Sequence, residues 1–234
     1  MKRVAILQSN YIPWKGYFDF IESVDAFVLY DEMQYTRRDW RNRNKIKTKD
    51  GTKWLTVPVS VKGKYLQKIS ETAIDDPHWA ADHLVQLRHA YARAPHFRSV
   101  WPWLEDLYVR APATTISAVN VHFLRAICER LEIATPLLIS SDFELLEGKT
   151  ERLVGICSDL GATEYVSGPA AKDYVERSLF ESAGIALRWK SYAGYPVYPQ
   201  LGEPFEPGVT ILDLFFNLGD ETRAYLHSTP TFED

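Results

Sequence analysis

The sequence predicts an α/β fold: a mostly parallel, Rossmann-like sheet with helices on both faces and a helical insertion in the middle. Three observations predict it. Short apolar runs alternate with amphipathic stretches in both halves of the chain, glycines stand just past two helical patterns at Gly161 and Gly184, and a helical block from Asp76 to Arg130 separates the halves. Strands alternating with helices imply parallel pairing buried on both sides. At 234 residues, 46% apolar and 25% charged, one α/β domain over residues 1–234 is expected, with residues 76–131 as a helical insertion within it.

Arg3 to Gln8 reads as a buried first strand that ends in polar residues and Pro13. In Gly16 to Val24 the apolar Tyr17, Phe20, Ile21 and Val24 follow the i, i+3, i+4, i+7 pattern of a helix. Ala26 to Tyr30 is a second strand, and the three make a right-handed βαβ unit. Asp31 to Asn44 is polar, and Lys53 to Val61 alternates like an edge strand interrupted by Pro58. The helical block is broken by Pro95, Pro102 and Pro112 into two or three helices, the clearest from about Thr115 to Leu131. Pro136 to Ser140, Glu164 to Ser167 and Ile185 to Trp189 read as strands, with helices at Lys149 to Leu160, Ala170 to Ala183 and Val209 to Asn217. Gly161 and Gly184 suit a helix C′ position, where positive φ carries no steric cost for glycine.

Cys128 and Cys157 fall in amphipathic stretches without metal-ligand spacing and read as buried free thiols. The first residues, MKRVAILQSNYIPW, hold an apolar run too short for a signal peptide or a membrane span, so a cytoplasmic address is expected. The net charge of −4 is uneven: Arg37 to Lys49 holds seven Lys/Arg against Asp39, a local +6, so the remainder carries −10. That distribution argues against nucleic acid, which needs an extended basic face, and favours a local anionic ligand.

In open parallel sheets ligands bind beyond the carboxyl ends of the strands, which points to Gln8–Gly16, Asp31–Asn44 and Ser167–Lys172. In the first segment Gln8, Asn10, Tyr11, Lys15 and Gly16 form a polar and aromatic loop before a helix, and helix N-termini attract anions. In the second, Arg37, Arg38, Arg41 and Arg43 with Trp40 and Asn42 combine guanidinium forks, an amide and an aromatic plane, suited to a phosphate with a sugar or base stacked nearby. The plain alternatives are a connecting loop and a solvated charged turn. Asp31 and Gln34 follow the second strand, where a substrate hydroxyl or amine would be met. Asp39 is either a general base or the partner of an arginine. Near the end Tyr198, Gln200, Asp213 and Asn217 lie in a Pro-rich aromatic loop running into a helix; Thr210 is a capping candidate, and Asp213 and Asn217 share a face at i, i+4 that either meets the site or only caps and is solvated. The histidines show no metal spacing, and His83 and His89 are expected on helix surfaces.

The run Gln8-Ser9-Asn10-Tyr11-Ile12-Pro13-Trp14-Lys15-Gly16-Tyr17, then Tyr30-Asp31, Gln34-Tyr35, Arg38-Asp39-Trp40-Arg41-Asn42-Arg43 and Trp54-Leu55-Thr56-Val57-Pro58, resembles the WbqC-like family. Ser167-Gly168, Tyr198 with Gln200, and Ile211-Leu212-Asp213-Leu214 with Asn217 and Gly219 extend the resemblance over essentially the whole chain. It implies surface-polysaccharide biosynthesis, since the family is associated with bacterial O-antigen and exopolysaccharide gene clusters. The reading it suggests is N-acylation, with a unit such as glycyl, of an amino sugar on a nucleotide. Asp31, Asp39 and Lys15 are then the catalytic candidates, Gln8 and Asn10 possible donors, and the arginine segment holds the diphosphate. A noncatalytic sugar-nucleotide or glycan-binding module is the alternative. The order of strand, P-x-x-G turn, helix, strand and Gln34-Tyr35 is also similar to pantothenate synthetase and related nucleotidyltransferase-like proteins. Trp14-Lys15-Gly16-Tyr17 replaces their paired histidines, so ATP with Mg²⁺ is expected only if the reaction forms an adenylate. Acyl donor and oligomeric state are left open.

Overall fold

The structure is a computed structural model and describes residues 1–229 and 231–233. β1 (Arg3–Leu7) pairs in parallel with β2 (Ala26–Leu29), from Val4↔Ala26 to Leu7↔Leu29, and α1 (Lys15–Glu22) makes the crossover. Successive strand residues point to opposite faces. Val4 and Ile6 with Ala26 and Val28 enter one core, while Ala5 with Phe27 and Leu29 enters the other. A strand buried on both faces has no polar side to show, which is why these runs read as continuously apolar.

β3 (Arg43–Thr48) and β4 (Gly51–Thr56) form an antiparallel hairpin, followed by α2 (Trp79–Tyr91), α3 (Phe97–Val109) and α4 (Ile116–Arg130). The chain continues through β5 (Leu137–Ile139), α5 (Lys149–Asp159), β6 (Glu164–Ser167), α6 (Arg177–Ser182), β7 (Ala186–Lys190), α7 (Leu212–Leu218) and β8 (Phe232–Glu233). The main sheet runs β5-β2-β1-β6-β7-β8, parallel except for β8. Strand order reverses between β1 and β6, so the loops after these two strands diverge and leave a crevice at their carboxyl ends.

The expected middle block resolves into three helices joined near Pro95 and Pro112, with Pro102 inside α3. Thr115 caps α4 by accepting the Ala118 N–H at 3.2 Å. α1 to α4, α7 and the hairpin cover one face, where Tyr91 stacks on Phe216 at 4.5 Å between ring centres. α5 and α6 cover the other, where Tyr165 stacks on Phe180 at 4.8 Å. Cys128 and Cys157 are buried free thiols, and burial raises each to about 12. Gly161 and Gly184 have φ of +63° and +71°.

Five expectations need correction. β3 begins within the last two residues of the stretch read as polar and runs on past it: Asn42, just before the strand, donates to Val57 O at 2.8 Å and Asn44 to Ile12 O at 2.8 Å, so amides that look like surface residues are spent on backbone. β4 ends at Thr56, before Pro58. Ala170 to Ala183 is a 3₁₀ turn at Pro169–Asp173 and then α6, and the last helix starts at Leu212, with the Thr210 hydroxyl donating to Ile12 O at 2.7 Å and accepting from the Leu212 N–H at 3.5 Å. His83 is buried, whereas His89 is exposed. His83 Nε2 faces Thr56 O at 3.1 Å and Nδ1 faces the Tyr11 hydroxyl at 2.8 Å, which meets the Tyr108 hydroxyl at 2.6 Å. A carbonyl only accepts, so Nε2 carries the proton and Nδ1 accepts from Tyr11.

Burial lowers His83 from 6.5 to about 4. Between those values the unfolded chain binds the extra proton, so this contribution to stability is present above pH 6.5 and is lost as pH falls toward 4. Urea unfolding of His83→Gln should show a shallower loss of stability over this window than the parent chain.

Candidate functional site

The carboxyl end of β1 delivers Gln8, Ser9 and Asn10 to the crevice, and the end of β2 delivers Asp31. Asp31 is buried and accepts three hydrogen bonds: Ser9 N–H at 2.8 Å, Ser9 Oγ at 2.7 Å and Ser117 Oγ at 2.5 Å. Asn120 donates to Ser9 Oγ and to Arg41 O, both at 2.9 Å. Ser9, Ser117 and Asn120 were not singled out from the sequence. Ser117 and Asn120 do carry a signal: at i, i+3 they put two polar groups on one face of a helix that otherwise buries Ile116, Val119 and Phe123.

The strand-end network holds Arg41 in place. Its guanidinium donates to Asn10 Oδ1 and to Gln8 Oε1, the latter at 3.1 Å, with Asp39 at 3.7 Å. It also reaches Ser9 O at 3.5 Å, so of these partners Asp39 alone is charged and the cation keeps charge to offer an anion. Asp39 also accepts from Thr36 Oγ and the Trp40 N–H, each at 2.7 Å. Partial burial pushes Asp39 up, but Arg41 and these hydrogen bonds outweigh it and hold the carboxyl below its ordinary range. Ser167 ends the neighbouring strand β6, its Oγ 3.3 Å from the Tyr165 hydroxyl.

Beside Arg41 lies a cavity of ≈ 290 Å³ walled by Trp14 and Trp40, with Asn10, Asn44 and Pro207–Gly208 around it. Trp14 is braced by Tyr192 and Tyr195, at 5.5 and 5.4 Å, and Trp40 by Trp54 at 5.3 Å. A Cβ on Gly16 would stand 2.4 Å from the Trp14 ring, so glycine is what lets the indole lie across the start of α1. Asn10 belongs to both features, lining the cavity and accepting from Arg41.

The other expected residues are dispersed. Arg37 donates to Val61 O at 2.9 Å and Gln34 to Tyr65 O at 2.8 Å, both at exposed positions. Arg38 has φ +60° and its carbonyl accepts from Arg43, whose guanidinium lies 4.1 Å over Trp54. Asn42 secures the hairpin and Tyr11 is fully buried. Tyr198 and Gln200 donate to Asp213 Oδ2 at 2.8 and 2.9 Å, and Asn217 donates to Asp213 O at 2.7 Å. Burial raises the Asp213 carboxyl despite these donors. Asp213 and Asn217 thus form a buried cluster rather than a solvated face. Lys15 is buried as well; its Nζ donates to Pro196 O at 2.8 Å and lies 5.2 and 5.3 Å over the rings of Tyr195 and Tyr198. Burial lowers it to about 8, with Asp19 opposing. Among the described residues no three His, Cys, Asp or Glu side chains converge as metal ligands would, and no helix is long and apolar enough to cross a membrane.

The two acids should respond differently to amide replacement. Asp31→Asn sets an amide against donors and should cost about 1–3 kcal/mol in urea unfolding, the penalty for a buried group left unmatched. Asp39→Asn, half-buried and near the surface, should change stability by less than about 1 kcal/mol.

Among proteins of known sequence, the uncharacterized protein Rv1507c of Mycobacterium tuberculosis is 53% identical over 226 residues, covering 97% of this chain and 98% of that protein. No solved structure matches the chain. The WbqC-like profile matches residues 8–225, from the strand-end Gln8 through the hairpin, α4 and the Asp213 cluster to Tyr225. The chain belongs to the WbqC-like protein family.

Proposed function

We propose that the chain acts in surface-polysaccharide biosynthesis of the O-antigen type, forming an amide on an amino sugar carried by a nucleotide, with an acyl unit of glycyl size. The observation that carries this reading is the coupling of an indole-walled cavity to Arg41 through Asn10. Mostly apolar, aromatic walls with a few fixed polar groups suit a small molecule held in one orientation. The sugar occupies the space between Trp14 and Trp40, and Arg41 meets the diphosphate. Arginine's planar fork favours that geometry over a lysine point charge.

Amide formation needs a base for the sugar ammonium, best matched when its pKa is near the working pH. Of the three acid–base candidates, Lys15, lowered to about 8, comes nearest. Asp31 is engaged by three donors and holds the strand-end loop, and Asp39 is drawn down by Arg41 and acts as its partner. Lys15 adjoins Trp14 in the chain, and release of its hydrogen bond to Pro196 O frees the amine. Its neutral fraction grows as pH rises through 8, so turnover should climb with pH across that value and then level off.

The test is to incubate the protein with nucleotide-linked amino sugars and either acyl-coenzyme A compounds or an amino acid with ATP and Mg²⁺, and to look for the amide by mass spectrometry. Lys15→Met should lose about 10²-fold in kcat and abolish the pH rise while binding survives. Arg41→Ala should weaken sugar-nucleotide binding by ~10-fold or more, as expected for a lost charge-assisted contact, and Trp40→Ala should weaken it through loss of an aromatic wall. Binding with no product from any donor would replace transfer with a noncatalytic sugar-nucleotide module.

A further inference from the structure

A second cavity, ≈ 660 Å³, opens between the β3–β4 hairpin and α2. Ile46, Ala90 and Leu201 give it an apolar floor. Lys49, Lys53 and Arg93 stand at its rim with His89, and Asp50 is the one acid in the lining. Two separate regularities bring them together. Ile46 and Lys53 are directly opposed across the hairpin and so share a face. Gln86, His89, Ala90 and Arg93 follow at i, i+3, i+4 and i+7, one stripe along α2 and its C-terminal extension.

Lys49, Lys53 and Arg93 are exposed, and among the described residues none makes an ion pair with a carboxylate. A solvated charged face ordinarily mixes both signs. Here cations face one another across a concave, apolar-floored space of the size that takes a small molecule. An anion held between them relieves their mutual repulsion. The chain as a whole carries −4, which disfavours a long polyanion laid over its surface.

We propose that this groove binds a small molecule bearing two or more phosphates on an apolar or aromatic stem, a nucleotide-like ligand, at a site separate from the Trp14–Trp40 cavity. The two cavities adjoin. Asn44 lines the first and Ile46 the second, two residues apart on β3, roughly 7 Å at strand spacing. One loop borders both, with Leu201 and Gly202 at the groove and Pro207 and Gly208 at the first cavity. The first cavity therefore lies within reach of a stem anchored by its phosphates in the groove. The occupancy of the groove does not depend on amide formation.

Isothermal titration of the full chain with ADP, pyrophosphate and a short single-stranded oligonucleotide tests this. ADP is expected to bind saturably, and pyrophosphate to compete with it. The Lys53→Ala/Arg93→Ala double variant should weaken ADP at least tenfold while its own thermal midpoint is unchanged, since both side chains are exposed. Arg41→Ala should leave that binding within twofold. Absence of saturable ADP binding at millimolar concentration overturns the proposal. So does a single ADP site lost in Arg41→Ala and untouched by the double variant, or an oligonucleotide that displaces ADP and binds more tightly.

Discussion

A buried carboxylate has to find donors, and the way Asp31 finds them organises the crevice. It stands at the end of β2, takes both the backbone and the hydroxyl of Ser9 at the end of β1, and takes Ser117 from α4. Asn120, one turn on, passes the link to the carbonyl of Arg41. One side chain thereby ties two parallel strands to a helix 86 positions away in sequence and, through that helix, to the arginine loop. Replacing a carboxylate in such a site strands several donors at once, so the arrangement is held more firmly than any single bond in it.

A second buried charge does the corresponding work on the opposite side of α1. Lys190, at the end of β7, donates to Asp19 at 2.6 Å, and Tyr195 and the Ser228 N–H converge on the same carboxylate oxygen. Burial alone would push Asp19 up, but the bonds from Lys190 and Tyr195 outweigh it and the net shift is downward. Tyr195 then braces Trp14, so the wall of the first cavity rests on this ion pair. The loop that follows is fixed at its other end by Tyr198 and Gln200 on Asp213. Both cavities are therefore bordered by a segment anchored at two buried acids.

How much of this was legible depended on range. β1, α1 and β2 were readable because their periodicities are local and strong, and the C′ glycines because positive φ is a property of one residue. The hairpin strand β3 was not readable: its Arg, Asn and Lys residues carry the composition of a turn, and only contacts with Tyr11, Ile12 and Val57 explain why Asn42 and Asn44 are buried. His83 is hidden from a sequence reading for the same reason, since its hydrogen-bond partners Tyr11 and Thr56 lie far away in the chain.

The sequence by itself determined the α/β class, the strand ends at which Gln8, Asn10 and Asp31 emerge, and the family, because these rest on short-range patterns of apolar spacing and on residue identity. Tertiary structure decided which of the clustered cations act together. Within Arg37–Arg43, Arg37 donates to Val61 O and Arg43 lies over Trp54, while Arg41 turns to the strand ends, where Gln8 and Asn10 offer it acceptors. Lys53 and Arg93, 40 residues apart, come to face one another across a groove that neither segment predicts. A charge's neighbours are set by chain crossings, and those are fixed only when the whole core closes.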